Sequence, residues 1–157
     1  FSFVVTIVFT FVLAGCQEII DAISGINSKA NEAAEAISED VHTLTSILIN
    51  LEDQQPIAVT DLIKTILRDV QWKHEKKDET EILIINGIWK EGLFEDYNFT
   101  PIEKEKVREN GDINIKLFYK NKQLQTDLTT VILTNNNNVI VDLQGKEAFN
   151  SIQNAYK

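Results

Sequence analysis

The sequence predicts an α+β protein: an N-terminal amphipathic helical stalk followed by an antiparallel sheet of about five strands with packing helices. Three observations carry this expectation. Apolar residues recur at alternating steps of four and three from Ile19 to Leu51, the period of a helix with one apolar face. Beyond Val70 the period falls to two, most plainly at Ile113, Ile115, Leu117 and Tyr119. Helical spacing then returns in Lys146–Tyr156, with Phe149, Ile152 and Tyr156 on one side.

The chain opens on an uncharged run, Phe1–Ala14, rich in Phe, Val, Leu and Ile. As a helix, about 14 residues reach roughly 21 Å, short of the ~30 Å hydrocarbon core, so the run reads as a signal-peptide segment rather than a bilayer span. It begins at Phe1 without a Lys- or Arg-containing start, and the chain has no Met, so a few residues are expected to be missing ahead of it. The run closes with Leu13, Ala14, Gly15 and Cys16, which resemble the lipobox of bacterial lipoproteins. That resemblance implies a signal peptide over 1–15 and cleavage before Cys16. It also implies acylation of the Cys16 sulfur, and so membrane attachment through acyl chains. Cys16 is the only cysteine and cannot form an internal disulfide. A buried methylene contributes ~0.8 kcal/mol and one acyl chain alone is marginal, so two or three chains would hold the protein firmly. In such lipoproteins the residue after the cysteine carries sorting information. In a Gram-negative host Gln17 implies the outer membrane, facing the periplasm.

Residues 16–53 are expected to be the acidic stalk. The seam runs Ile19, Ile23, Ile26, Ala30, Ala33, Ile37, Val41, Leu44, Leu48 and Leu51, with one extra residue between Ile37 and Val41. Ser38 or Asp40 at that phase shift offers a cap for a second helix, so one long helix and two shorter ones are both open. The stretch holds Glu18, Asp21, Glu32, Glu35, Glu39, Asp40, Glu52 and Asp53 against the single Lys29. Most of the formal net charge of −9 therefore sits here. One-sign acidity disfavours both an anionic membrane surface and nucleic acid, so no nucleic-acid partner is expected. The seam is thin through Ala30 and Ala33 and rich from Val41 onward. Its second half is expected to pack on the protein's own sheet with the first half as a tether. The other reading is a 19–51 helix that self-associates or pairs with another envelope protein.

The folded domain is expected over 57–157, after a linker at Gln54-Gln55-Pro56. Thr60 or Asp61 opens a helix with Leu62, Ile63, Ile66, Leu67 and Val70 on one face. Val70, Trp72 and His74 then alternate, and the charged run Glu75–Glu79 reads as a turn. Thr80–Trp89 is a strand, and its unbroken apolar run Ile82–Ile85 places it centrally, covered on both faces. In Lys90–Asn110, Phe94, Tyr97 and Phe99 suit strand or packed loop, and Pro101–Glu109 suits a short helix or a loop. Strands follow at Asp112–Tyr119, Leu124–Thr134 and Val139–Leu143. They are separated by turns at Lys120–Lys122 and at Asn135–Asn138, where Asn tolerates left-handed backbone. Gly145 ends the last strand and the final helix closes the chain. About 100 residues bury enough surface for one core without disulfides.

The stretch from Asn110-Gly111-Asp112-Ile113-Asn114-Ile115 through Val139-Ile140-Val141-Asp142 resembles, in strand pattern, the closing strands of cystatin-like and nuclear-transport-factor-like lipoprotein domains. It implies an antiparallel curved sheet crossed by a helix, and no functional residue.

Catalytic chemistry finds few candidates. Lipidation consumes the one thiol, and the two histidines, His42 and His74, sit on the stalk and beside a charged turn. His74, Asp78 and Glu81 can approach one another across a hairpin, but their spacing also describes a solvated loop, and no metal is expected. No phosphate-binding or dinucleotide motif occurs, so no cofactor is expected. Trp72 and Trp89 fall on the expected hairpin as sheet-packing residues. Together with Phe94, Tyr97 and Phe99 they are also the candidate interaction surface. The expected function is a non-catalytic, lipid-anchored envelope protein that presents its module to another envelope component. The alternative is a ligand- or peptide-binding domain with a pocket between sheet and helix, and an enzyme comes third.

Overall fold

The computed structural model describes residues 38–52 and 54–157, and the compact unit runs Ser38–Lys157. The signal peptide, the lipobox Leu13–Cys16 and the first half of the expected stalk lie outside the described residues.

Ser38 caps helix α1 (Glu39–Thr45), its hydroxyl accepting from the Val41 amide at 3.3 Å. Here the expected stalk helix stops. Ser46 turns the chain, and Leu48–Ile49 (β1) pairs antiparallel with Ile57–Ala58 (β2) instead of continuing the seam. Val41, Leu44, Ile49 and Leu51 are buried in the unit's own core. Residues 38–51 of the expected 19–51 helix are thus not one helix: they divide into α1 and β1, and Leu48 stays exposed.

Helix α2 (Val59–Ile66) buries Val59, Leu62, Ile63 and Ile66, and runs directly into strand β3 (Leu67–Lys77). A bulge between Arg68 and Gln71, with Asp69 at φ 49°, resets the register at the start of that edge strand. The expected charged turn shrinks to Asp78-Glu79, because Glu75, Lys76 and Lys77 pair with β4 (Thr80–Trp89). Helix α3 (Pro101–Asn110) starts from a capping box between Thr100 and Glu103. It leads into β5 (Gly111–Lys120), β6 (Gln123–Leu124), a 3₁₀ turn (Thr126–Leu128), β7 (Thr130–Asn135), β8 (Asn138–Gln144) and α4 (Gly145–Tyr156).

Among the described residues there are eight strands, more than the five expected. The main sheet runs β3-β4-β5-β7-β8, with β6 pairing the end of β5. The expected strand Leu124–Thr134 is broken, since β6 ends at Leu124 and the 3₁₀ turn intervenes. Asn121-Lys122 and Asn136-Asn137 form two-residue hairpin turns with φ of 52° and 61°, and of 48° and 64°. Positive φ at both central positions matches the right-handed twist of the flanking strands.

One sheet face carries the core: Leu83, Ile85, Trp89, Ile113, Ile115, Leu117, Tyr119, Val131 and Leu133 are buried, together with α2 and α4 side chains. Burial in that apolar setting pushes the Tyr119 phenol well above its ordinary value. On the other face Ile82, Ile84, Phe118 and Ile132 stay half-buried between Lys73, Glu75 and Lys116. Strand β4 is central, as expected, but covered on one face.

Candidate functional site

The expected aromatic residues divide by burial. Trp72 stands opposite Ile85 on β3, half-buried, and Trp89 stands opposite Leu67, so the two do not form a cross-strand pair. Trp89 is a core residue at 3% exposure, and its indole Nε1–H donates to the Leu93 carbonyl at 3.0 Å. Its ring meets Phe99 edge-on at 6.0 Å, and Phe99 in turn meets Tyr97 at 4.6 Å. From Trp89 the chain turns through residues 90–99, where Gly92 and Phe94 have φ of 117° and 66°. Phe94 accepts this left-handed backbone because its ring is buried and the Tyr97 amide closes a turn onto its carbonyl at 3.0 Å. Tyr97 is 42% exposed, and its hydroxyl donates to the Ile140 carbonyl of β8 at 3.3 Å.

These contacts lay the 90–99 loop beside β8 and α4 and leave a groove of about 370 Å³ between the three. Its floor is Phe94, Val141 and Leu143, and Tyr97 stands on one wall. The opposite wall is a stripe of α4: Glu147, Asn150, Ser151 and Asn154, spaced to share one helical face beside the buried Ala148, Phe149 and Ile152. Gly145 makes this placement possible. Its φ is 64°, its amide donates to the Thr129 carbonyl at 2.7 Å, and a Cβ there would press on the Asp127 carbonyl at 3.1 Å. The chain can therefore leave β8 and enter α4 at once.

Charge in the groove is one-sided. Glu95, Asp96 and Glu147 line it, and no lysine or arginine does. Among the described residues none of these three carboxylates makes an ion pair. The contrast is Glu91 at the base of the same loop, which pairs with Lys104 at 2.5 Å and Arg108 at 3.3 Å. Those cations, Lys104 first, hold the Glu91 carboxyl below its ordinary range.

His74 occupies a separate cluster. Its Nε2 bonds Glu81, its Nδ1 lies 3.7 Å from Asp40 of α1, and Lys76 reaches Glu81 at 3.0 Å. Asp78 makes no bond to it. Lys76 and then His74 hold the Glu81 carboxyl below its ordinary value. With both ring nitrogens turned to carboxylates, this imidazole reads as a tie between α1 and the sheet rather than a base facing a substrate. Among the described residues no three His, Cys, Asp or Glu side chains are placed to hold a metal ion.

Sequence reading singled out Phe94 and Tyr97 but missed Glu95, Asp96, Val141, Leu143 and the α4 stripe. The stripe itself was visible, since polar residues at 147, 150, 151 and 154 flank the apolar ones on the expected helix. What it faces was not. Compared with protein-family models, curated proteins and solved structures, the chain matches none.

Proposed function

We propose that this chain is a lipid-anchored protein of the bacterial cell envelope whose α+β module binds another envelope component and catalyses no reaction. Cys16, following Leu13-Ala14-Gly15, would carry the acyl chains, and Gln17 would direct the mature protein to the outer membrane of a Gram-negative host. The observation that carries the binding role is the groove, where a buried apolar floor lies beneath exposed polar groups on a loop, a strand and a helix. At about 370 Å³ it lies at the low end of the ~300–1,000 Å³ typical of small-ligand sites, which favours a short peptide segment or a small ligand over a docked helix.

One experiment addresses both parts. A photo-crosslinking residue is placed at Tyr97, or at the exposed Ile102 as a control, in the full chain and in its Cys16→Ser variant. The wild type is expected in the membrane fraction with a discrete adduct from position 97 and none from 102. The variant is expected in the soluble fraction. Membrane retention of the variant would refute the anchor, and equal adducts from both positions would refute the groove.

A further inference from the structure

We propose that the groove receives a lysine or arginine side chain of a partner polypeptide, an assignment that rests on the binding role proposed above for the same groove. The groove's two halves ask for different chemistry. Phe94, Val141 and Leu143 offer apolar surface, with Phe94 and Val141 at 6% and 5% exposure. Glu95, Asp96 and Glu147 are exposed carboxylates bordering it, unpaired among the described residues. An anionic ligand would meet three like charges and no cation. A wholly apolar one would strip water from those carboxylates without replacing it.

A lysine or arginine side chain meets both demands. Its methylene stem lies on apolar surface while its cationic head stays at the polar margin. Arginine adds a planar group able to stack on the half-exposed Tyr97 ring and to bond a carboxylate in two places. Asn150, Ser151 and Asn154 add acceptors along the α4 wall, although the Ser151 hydroxyl already donates to the Ala148 carbonyl at 2.7 Å.

The test titrates the full chain in detergent micelles with N-acetyl-arginine amide, N-acetyl-lysine amide, the neutral N-acetyl-norleucine amide, and putrescine, following backbone amide resonances. Saturable shifts at Phe94, Tyr97, Asn150 and Asn154 are expected from the two cationic amides. Their affinity should be about tenfold above that of the norleucine amide at low salt, falling to near parity in about 0.5 M salt. Glu95→Gln, Asp96→Asn and Glu147→Gln together should erase the preference while leaving the remaining spectrum, and so the fold, unchanged. Equal shifts from the norleucine amide would overturn the cation assignment and leave the groove reading standing. Shifts from putrescine alone would overturn the polypeptide source. No shift at these residues from any probe would overturn both the inference and the groove reading on which it rests.

Discussion

Replacing Trp89 with Phe tests how the groove is held open. Trp89 does two things that Phe cannot do at the same position. Its indole N–H satisfies the Leu93 carbonyl at 3.0 Å, and Leu93 is itself only 1% exposed, so water cannot easily replace the lost donor. An unpaired buried acceptor costs about 1–3 kcal/mol. The larger ring also fills the space beside Phe99, with the centroids 6.0 Å apart, an edge-on contact of about 0.5–1.5 kcal/mol, part of which Phe retains. Trp89→Phe should therefore lower stability by about 2–4 kcal/mol. For a urea slope of about 1.5–2 kcal/mol per molar, that moves the midpoint down by about 1–3 M. Far-UV circular dichroism follows the transition, since the remaining Trp72 reports a different region. Amide exchange at Leu93 and Tyr97, whose N–H groups close turns onto Lys90 and Phe94, should quicken more than exchange in β5. A loss below about 1 kcal/mol, or a larger loss with exchange at those two amides unchanged, would show that the indole bond does not hold the loop.

Two further outcomes follow from the same structure. Gly111 joins α3 to β5, and a Cβ there would fall far inside contact with the Val107 carbonyl, 2.8 Å from Val107 Cγ1 and 3.1 Å from Trp89 Cβ. Its φ of −85° suits alanine, so Gly111→Ala should lose about 1–3 kcal/mol through overpacking alone, even after a gain of about 0.4–1 kcal/mol in the unfolded state. A neutral or stabilising result in urea denaturation would refute that packing. Glu81 governs an acid limb. Its carboxyl is held below 4.5 by Lys76 and His74, so its contribution is present above about pH 4.5 and disappears as pH falls through the folded-state value. Stability measured from pH 7 downward should drop less steeply in Glu81→Gln than in wild type below about pH 4.5, and identical slopes would remove Glu81 from the account.

Several elements were legible because their information is local. The alternation of Ile113, Ile115, Leu117 and Tyr119 shows which residues face the core whatever packs there, and the structure buries all four. The final helix and the Asn136-Asn137 turn are set by side-chain spacing and by backbone tolerance at single residues. Where the reading erred, neighbours in space overrode local pattern. Leu48 and Leu51 continue a helical seam on paper, yet Leu48 and Ile49 pair with Ile57 and Ala58 because β2 runs alongside them. Glu75, Lys76 and Lys77 look like a turn, but β4 offers them a ladder.

The sequence by itself determined an α+β domain, its strongest strand and its closing helix, and a Leu-Ala-Gly-Cys motif that proposes an anchor. Tertiary structure alone decided that Phe94, Tyr97, Val141, Leu143 and Glu147 border one groove, and that Trp89 props its loop from inside the core. The physical reason is sequence separation. Some 40 residues, helix α3 and the strands β5 to β7, lie between the 90–99 loop and β8, and only the order of strands in the sheet, the abrupt strand-to-helix switch at Gly145 and the Tyr97–Ile140 bond bring the two together.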